Sequence, residues 1–265
     1  MNSQKQKEKN WILQEKYSGQ ESEAFKIDLK RLQAGEPVAY IIGFVDFLGC
    51  RIDLSEKPLI PRPETEFWTE LAITKIKKSD LASPYCLDIF SGSGCIGIAI
   101  LKHIPMSKVV FVEKSSRFCR QIEKNLVLNN ISKERYQIIK ANVFRSQEAE
   151  KHIYSFDYIL ANPPYIPLER KDKLAKGVVN WEPQEALFTK DNGLLIIKRF
   201  LLEVSEHLNS PSTSQVWLEF DISQHLLIKE LLINGGFTDI VFHKDQYSRW
   251  RFVTFSSPAK VLVSN

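Results

Sequence analysis

Residues 85–104, YCLDIFSGSGCIGIAILKHI, join an apolar run to a glycine-rich turn and then to a second apolar run. The first part, YCLDIF (85–90), has the length and composition of a buried strand, and CIGIAILKHI (95–104) has those of a helix. Glycines in the turn would let backbone amides approach a ligand, and the helix start adds donors. The glycine spacing is neither that of a P-loop nor that of GxGxxG, so a plain turn and a cofactor site are both open readings.

The rest of the chain continues this alternation of short apolar strands and amphipathic helices. The later predicted strands are KVVFVEK, YQIIKAN, SFDYILAN, QVWLEF, FTDIVF and WRFVTF, and the helices are SRFCRQIEKNLVLNN, GLLIIKRFLLEVSEHL and SQHLLIKELLINGG. Such a pattern predicts an α/β fold with a mostly parallel sheet covered by helices on both faces. Because only a turn-like segment separates the last two strands, we expect one of them to pair antiparallel at the sheet edge.

The chain before this alternation divides into two shorter segments. Residues 1–36 are polar with a few spaced apolar side chains, which predicts a shortened N-terminal helical segment. The run VAYIIGFVDFLGCRIDL, within residues 37–58, mixes β-branched and aromatic residues with glycines and predicts a β-hairpin linker. Three prolines then precede a helix that we expect to begin near Glu64, and residues 59–265 form the main domain.

Composition limits the classes of protein that need consideration. The 265 residues are 43% hydrophobic with a formal net charge of +4, which is too small an excess to indicate a dedicated nucleic-acid-binding protein. The four cysteines form no CxxC pair and the histidines are scattered, so we expect no metal site, no disulfide framework and reduced thiols. No apolar run reaches the ~20 residues of a membrane span, so we expect a cytoplasmic protein.

A carboxylate ends the strand that follows the glycine-rich turn. KVVFVEK leads to Glu113, about 20 residues after the turn, where nucleotide-binding α/β proteins place a group that accepts both ribose hydroxyls. Taken alone, Glu113 also fits a solvated charge at a strand end. The turn and the carboxylate together indicate a nucleoside cofactor, but they do not separate a dinucleotide from S-adenosylmethionine.

In the segment SFDYILANPPYIP (155–167), an apolar strand ends at Asn162, and two prolines follow. Each proline fixes φ and lacks an N–H, so the strand end is rigid and its carbonyls stay out of a helix. The side-chain oxygen of Asn162 and the backbone oxygen of Pro163 then offer two acceptors below the ring of Tyr165. Two acceptors and an aromatic face suit a planar NH2 group, which has two hydrogens to donate and a π-face to stack.

These motifs together resemble those of the release factor glutamine methyltransferases, the PrmC/HemK family. The resemblance is carried by GEPVAYIIGFVDFLG (35–49), LIPRPETE (59–66), NPPYI (162–166) and EPQEALFTKDNGL (182–194). It implies a class I methyltransferase, Rossmann-like fold with a seven-stranded sheet. It also implies that S-adenosyl-L-methionine is the cofactor, S-adenosyl-L-homocysteine the product, and the GGQ glutamine of a peptide chain release factor the methyl acceptor.

The resemblance assigns roles to particular residues of this chain. The catalytic residues would be Asn162, Pro163 and Tyr165, and Pro164 would join them in substrate binding. The cofactor-binding residues would be Phe90, Ser91, Gly92, Ser93, Gly94, Glu113, Asn142, Val143 and Asn162. Asn142 and Val143 stand where family members often have Asp before an aromatic residue. Arg62, Glu64 and Thr65 would lie near the methionine end of the cofactor, although they also fit a helix start stiffened by prolines, and Glu182 and Pro183 would shape the substrate rim.

Two other functions are open at this point. A nucleic-acid amino methyltransferase shares NPPY, but we expect a basic groove and a target-recognition insert in such an enzyme. A non-catalytic interaction protein on a degenerate methyltransferase fold would fit the front of the chain, which is shorter than the usual N-terminal domain of the family. We expect a monomer that binds neither membrane nor nucleic acid and that docks its substrate mainly through the hairpin of residues 38–54.

Overall fold

The computed structural model describes residues 3–144, 155–210 and 213–257. The front of the chain contains three helices and a hairpin: α1 (Ser3–Tyr17), α2 (Glu23–Gln33), α3 (Val38–Ile42), β1 (Phe44–Phe47) and β2 (Cys50–Asp53). Ser22 caps α2 because its hydroxyl oxygen accepts a hydrogen bond from the N–H of Phe25. The three helices pack around Ile12, Phe25 and Ile41. The predicted outer boundaries at residues 1 and 265 lie outside the described residues.

The following elements alternate between strands and helices. In chain order they are α4 (Pro63–Lys77), β3 (Tyr85–Ile89), α5 (Cys95–His103), β4 (Lys108–Glu113), α6 (Ser116–Leu128), β5 (Tyr136–Lys140), β6 (Tyr158–Ala161), β7 (Ile166–Pro167), α7 (Lys176–Trp181), α8 (Gln184–Leu187), β8 (Phe188–Thr189), α9 (Leu195–Glu203), β9 (Gln215–Glu219), α10 (His225–Asn234), β10 (Thr238–Lys244) and β11 (Trp250–Ser256). The helix expected near Glu64 begins one residue earlier, with Pro63 in its first turn, where a missing N–H costs nothing.

Seven of these strands form one sheet in the order β10-β11-β9-β6-β3-β4-β5. The neighbours from β9 to β5 are parallel, whereas β11 is antiparallel to both β9 and β10. The predicted fold class and the predicted antiparallel pair at the edge are therefore confirmed. The chain runs outward from β3 to β5 and returns to β6 beside β3. This reversal of strand order is where doubly wound sheets bind ligands.

Apolar side chains cover both faces of the sheet. Helices α4, α5 and α6 pack on one face around Trp68, Phe111 and Leu160, while α9 and α10 pack on the other around Ile159 and Phe200. Adjacent residues of β6 point to opposite clusters, as the two-residue period of a strand requires. Because helices bury both faces, the central strands are mostly apolar, and their carboxyl ends are the edges available for polar chemistry.

The predicted hairpin is wrong over its first residues. Val38–Ile42 forms the short helix α3, and the hairpin is limited to β1 and β2. Gly43 ends the helix with a φ of +99°, and its N–H donates to the carbonyl of Ala39. Ala39, Tyr40, Ile41 and Ile42 are all buried, so tertiary packing overrides the strand preference of β-branched residues. The small elements α7, α8, β7 and β8 were not predicted.

Other sequence expectations concern cysteines, metals and membranes. Cys50, Cys86, Cys95 and Cys119 are all free thiols. Among the described residues, no group of acidic, histidine or cysteine side chains is arranged to hold a metal ion. Within the same residues, no helix combines the length and the apolar character needed to cross a bilayer.

Candidate active site

A cavity of about 930 Å³ lies beyond the carboxyl ends of β3, β4 and β6, at the reversal of strand order. The predicted cofactor residues that line it are Phe90, Ser91, Gly92, Ser93, Glu113, Asn142, Val143 and Asn162. Gly94 differs from the prediction because it does not line the cavity. A Cβ at Gly94 would press against Ile122 and Ile98, so this glycine permits close packing of α5 and α6. Its φ of +79° places it as the N-cap of α5.

The glycine-rich turn is held by its own backbone and by β4. The N–H of Ser91 donates to the carbonyl of Val112, and the hydroxyl of Ser91 donates to the carbonyl of Asp88 at 2.7 Å. Phe90 has a φ of +63°, in the left-handed region that non-glycine residues rarely adopt. Its ring lies edge-on to Phe200, 6.0 Å between centroids, so Phe90 is both a wall of the cavity and part of the core.

Glu113 is buried at the cavity wall, with 7% of its surface exposed. Its Oε1 accepts a hydrogen bond from the N–H of Ser115 at 2.8 Å, and its Oε2 accepts from the N–H of Gly92 at 3.0 Å. Burial raises the pKa of Glu113, and the two backbone donors oppose that rise. A carboxylate has about four acceptor positions, so both oxygens can still accept from hydroxyl groups of a ligand.

The far end of the cavity is mostly apolar. Val143 is buried and has a φ of +59°, which is unusual for a β-branched residue. Asn142 is exposed, and its backbone carbonyl accepts a hydrogen bond from the guanidinium group of Arg199. Phe118, on α6, is buried and also lines the cavity, although the sequence analysis did not select it. Its position five residues after Glu113 was the available signal.

Asn162 follows β6 and is half-buried. Its Nδ2 donates to Oγ1 of Thr65 at 3.2 Å. Its Oδ1 has no hydrogen-bond partner among the residues that the structure describes, and the residue lines the cavity. The amide therefore has its donor end engaged and its acceptor end available.

A second hollow of about 700 Å³ lies on the other side of the NPPY segment. It is lined mainly by apolar residues: Leu59, Pro163, Tyr165, Ile166, Leu174, Val178, Ala186 and Leu187. Four residues, Leu59, Arg62, Asn162 and Ala186, line both spaces. Pro163 faces the smaller space and Pro164 the larger one, so the predicted substrate residues are divided between them. Asn162 lies in the partition.

Tyr165 is anchored at both ends. Its hydroxyl donates to Oε1 of Glu219 at 2.9 Å, and its carbonyl oxygen accepts from Nε2 of Gln224 at 2.8 Å. Burial, together with the negative charge of Glu219, raises the pKa of Tyr165 well above its usual value, so the phenol keeps its proton.

Glu219 is a second buried residue at the site that the sequence analysis did not select. It ends β9, which pairs parallel with β6, and 1% of its surface is exposed. Oε2 accepts from Thr65 at 2.8 Å and from Nε1 of Trp68 at 2.6 Å. Burial raises the pKa of Glu219, and its hydrogen bonds to Trp68, Thr65 and Tyr165 oppose the rise. The signal was a charged residue at the end of the apolar strand QVWLEF.

The sequence of this chain is similar to one described protein family and to several named proteins. The family described as Conserved hypothetical protein 95 matches residues 61–199. A release factor glutamine methyltransferase of Flavobacterium psychrophilum is 33% identical over 85% of this chain and 77% of its own length. The protein of the same name from Rhodopirellula baltica is 35% identical over 84% of this chain and 74% of its own length.

Two solved structures share the fold. A ribosomal protein L11 methylase from Lactobacillus delbrueckii subsp. bulgaricus has a TM-score of 0.53 at 19% identity, over 77% of this chain and 83% of that one. The N-terminal domain of human METTL16 in complex with SAH has a TM-score of 0.55 at 18% identity, over 79% of this chain and 76% of that one. At these identities the likeness concerns the fold alone.

The strand order and the position of the cavity at the carboxyl ends of β3, β4 and β6 are those of the class I methyltransferase fold. Sequence identity to the two relatives above narrows this class. The chain belongs to the release factor glutamine methyltransferase family, as its motifs had suggested, and it is a methyltransferase enzyme.

Proposed function

We propose that this enzyme transfers a methyl group from S-adenosylmethionine to the side-chain amide nitrogen of the GGQ glutamine of a peptide chain release factor. The observation that carries the proposal is the position of Asn162 in the partition between the two cavities, with its Oδ1 available. The two relatives named release factor glutamine methyltransferase support the choice of acceptor. We propose a cytoplasmic enzyme, because its proposed substrate belongs to the translation machinery.

The residues of the larger cavity fit S-adenosylmethionine. They combine a buried carboxylate, a glycine-rich turn and apolar side chains around one space. The buried carboxylate of Glu113 suits the ribose hydroxyls, and the turn of Ser91, Gly92 and Ser93 offers close backbone approach for the amino-acid portion. Phe90, Asn142 and Val143 complete the assigned wall. When bound, the cofactor supplies an electrophilic methyl group attached to a positively charged sulfur.

The polar groups of the partition suit an amide acceptor. An amide nitrogen is a weak nucleophile, so the enzyme must orient it and stabilise the positive charge that it gains. Oδ1 of Asn162 and the carbonyl of Pro163 can accept the two N–H bonds of the glutamine while Tyr165 packs against the amide plane. Such orientation can contribute up to ~7–11 kcal/mol. Both acceptors are neutral, so we propose no titrating base: the nitrogen that gains the methyl group gives its extra proton to solvent, and S-adenosylhomocysteine is the leaving product.

The smaller hollow suits a glutamine flanked by glycines. Its apolar wall includes Leu174, Val178 and Leu187, and it reaches the partition at Asn162. A Gly-Gly segment has no side chains, so its backbone can approach this apolar wall closely. We assign this hollow to the acceptor loop.

Mass spectrometry of a reacted release factor tests the proposal. Purified enzyme is incubated with release factor and S-adenosylmethionine, and the GGQ peptide is examined for one added methyl group. We expect the methyl group with wild type, its near absence with Asn162→Ala, and wild-type behaviour with Asn234→Ala, which changes an exposed asparagine at the end of α10. Parallel reactions contain duplex DNA or ribosomal RNA. An unmodified GGQ peptide, or methyl groups on nucleic acid instead, would overturn the assignment.

A further inference from the structure

Glu219 receives three hydrogen bonds and lies beside the partition between the cavities. Its donors are the side chains of Thr65, Trp68 and Tyr165. Trp68 can only donate, and it shares Oε2 with the hydroxyl of Thr65. An ionised carboxylate has acceptors and no hydrogen, so the single hydroxyl hydrogen of Thr65 points to Glu219.

This arrangement determines what Thr65 can offer to Asn162. With its hydrogen used, the hydroxyl oxygen of Thr65 has only lone pairs for its neighbour at 3.2 Å. Asn162 must therefore present its NH2 group to Thr65. The reversed amide would place Oδ1 against an oxygen that has no hydrogen to donate, which costs a buried hydrogen bond. The orientation of Asn162 thus follows from the acceptor character of Glu219.

We propose that Glu219 is a positioning residue for methyl transfer, acting through Thr65 to direct Oδ1 of Asn162 away from the protein and toward the acceptor. The inference rests on the proposed function, because an available Oδ1 matters only if it receives a hydrogen bond from the substrate. Glu219 also holds the hydroxyl of Tyr165, so one carboxylate organises both the acceptor oxygen and the aromatic plate of the NPPY segment.

Kinetics of matched variants test this relay. Thr65→Val keeps the shape of the side chain and removes the hydroxyl, and we expect kcat to fall about a hundredfold, the effect of losing one preorganised polar group from an active site. Thr65→Ser keeps the hydroxyl, so we expect it to retain most of the wild-type kcat. Recovery of kcat in Thr65→Ser would show that the loss in Thr65→Val comes from the missing hydroxyl and not from a general disturbance of the site.

Glu219 is tested by the same logic. Glu219→Gln can keep an acceptor oxygen toward Thr65 and Trp68 and turn its NH2 group to the hydroxyl of Tyr165, so it retains the relay and most of kcat. Glu219→Met removes the acceptor, and we expect a loss like that of Thr65→Val, with no further loss when the two are combined. If Glu219→Met fails to fold, the Thr65 pair still decides.

A second readout is independent of turnover. The side-chain NH2 signals of Asn162, assigned by their absence in Asn162→Ala, should shift in Thr65→Val and Glu219→Met but stay near wild type in Thr65→Ser and Glu219→Gln. Unchanged signals and unchanged kcat in Thr65→Val would overturn the relay. If wild type leaves the GGQ peptide unmodified, the proposed function fails, and the NMR comparison still decides the orientation of Asn162.

Discussion

Nη2 of Arg62 lies 2.6 Å from Oε1 of Glu182, a residue 120 positions later in the chain. Glu182 also accepts a hydrogen bond from the N–H of Ile60. Arg62 lines both cavities, and Glu182 lies just before α8. The pair therefore joins the segment that enters α4 to the segment that enters α8, and it stiffens the wall that the two cavities share.

Removing Arg62 should reduce stability because it leaves a buried carboxylate without its cation. The Glu182 side chain is 1% exposed, whereas that of Arg62 is 32% exposed. We expect Arg62→Met to lower the free energy of unfolding by about 2–3 kcal/mol, less than the ~3–5 kcal/mol of a fully buried pair. Urea unfolding measures this, and in a Glu182→Gln background the loss should be much smaller.

The control for this prediction is an exposed ion pair of the same kind. Lys198 and Asp191 lie 2.7 Å apart with 43% and 42% of their side chains exposed. We expect Lys198→Met to change the free energy of unfolding by less than about 1 kcal/mol. Equal losses for Arg62→Met and Lys198→Met would contradict the role given to the Arg62 pair.

Glu113→Ala should weaken cofactor binding. The change removes a buried acceptor at the wall of the larger cavity, and hydrogen bonds to charged groups contribute about 1.5–3 kcal/mol each. We expect the Kd for S-adenosylmethionine to rise roughly tenfold to a hundredfold in a calorimetric titration. Glu185 is the control, because it lines the same cavity but is exposed and paired with Lys114. If Glu185→Ala weakened binding as much, general charge rather than the buried carboxylate would be responsible.

The sequence was sufficient to predict the sheet because its strands carry local signals. The residues of β6 and nearly all of those in β3, β4 and β9 are buried, so each reads as a short apolar run. Helix α3 was missed because its strand-like residues are held by packing against the front helices. The short helix α7 lies near a segment distant in the chain: a Cβ added at Gly177 would be 3.3 Å from the carbonyl oxygen of Gly35.

Residues of the candidate site could be predicted from the sequence where they lie at strand ends. They could not be predicted where side chains from distant elements contact each other. Glu113 ends β4 and Asn162 follows β6, and the carboxyl ends of parallel strands lie at one edge of the sheet. The contact of Thr65 with Glu219 spans 154 positions, and it exists because β9 is placed beside β6. No local pattern specifies that strand order. The hydrogen bond between Thr65 and Glu219 therefore could not be predicted from the sequence.

Gly193→Ala should disturb the active site by crowding. A Cβ at Gly193 would overlap the carbonyl oxygen of Tyr165 and Nε2 of Gln224, which hydrogen bond to each other. We expect overpacking to cost roughly 1–3 kcal/mol beyond the backbone strain, and kcat to fall at least about tenfold as Tyr165 shifts. Unfolding in urea and steady-state kinetics measure the two effects.

Gly49→Ala is the control for backbone strain. Gly49 has a φ of +74°, close to the +82° of Gly193, but nothing lies within 4 Å of its added Cβ. We expect Gly49→Ala to lose only the ~1–2 kcal/mol of a left-handed alanine and to keep its kcat. If both variants lost the same stability and kept the same kcat, crowding at Tyr165 would play no part.

Asp88→Asn should change how stability depends on pH. Asp88 is fully buried; its Oδ2 accepts from the N–H of Gly97 at 2.9 Å, and its Oδ1 has no hydrogen-bond partner within the described parts of the chain. Burial, partly opposed by the Gly97 hydrogen bond and reinforced by the charge of Glu113, raises the pKa of Asp88 well above its usual value. The folded protein therefore binds this proton more tightly than the unfolded chain.

The sign of the effect follows from that difference. The unfolded chain releases the proton near pH ~4, whereas the folded protein keeps it to higher pH, so wild type loses stability as pH rises through this window. The Asp88→Asn variant has no ionisable group at this position. Both proteins are unfolded in urea without cofactor from about pH 5 to about pH 8. As pH rises through this range, the free energy of unfolding of wild type should fall relative to that of Asp88→Asn, by at most ~1.4 kcal/mol per pH unit. Omitting the cofactor excludes stabilisation by ligand binding. A difference that stays constant, or moves toward wild type, would show that the fold does not hold Asp88 protonated.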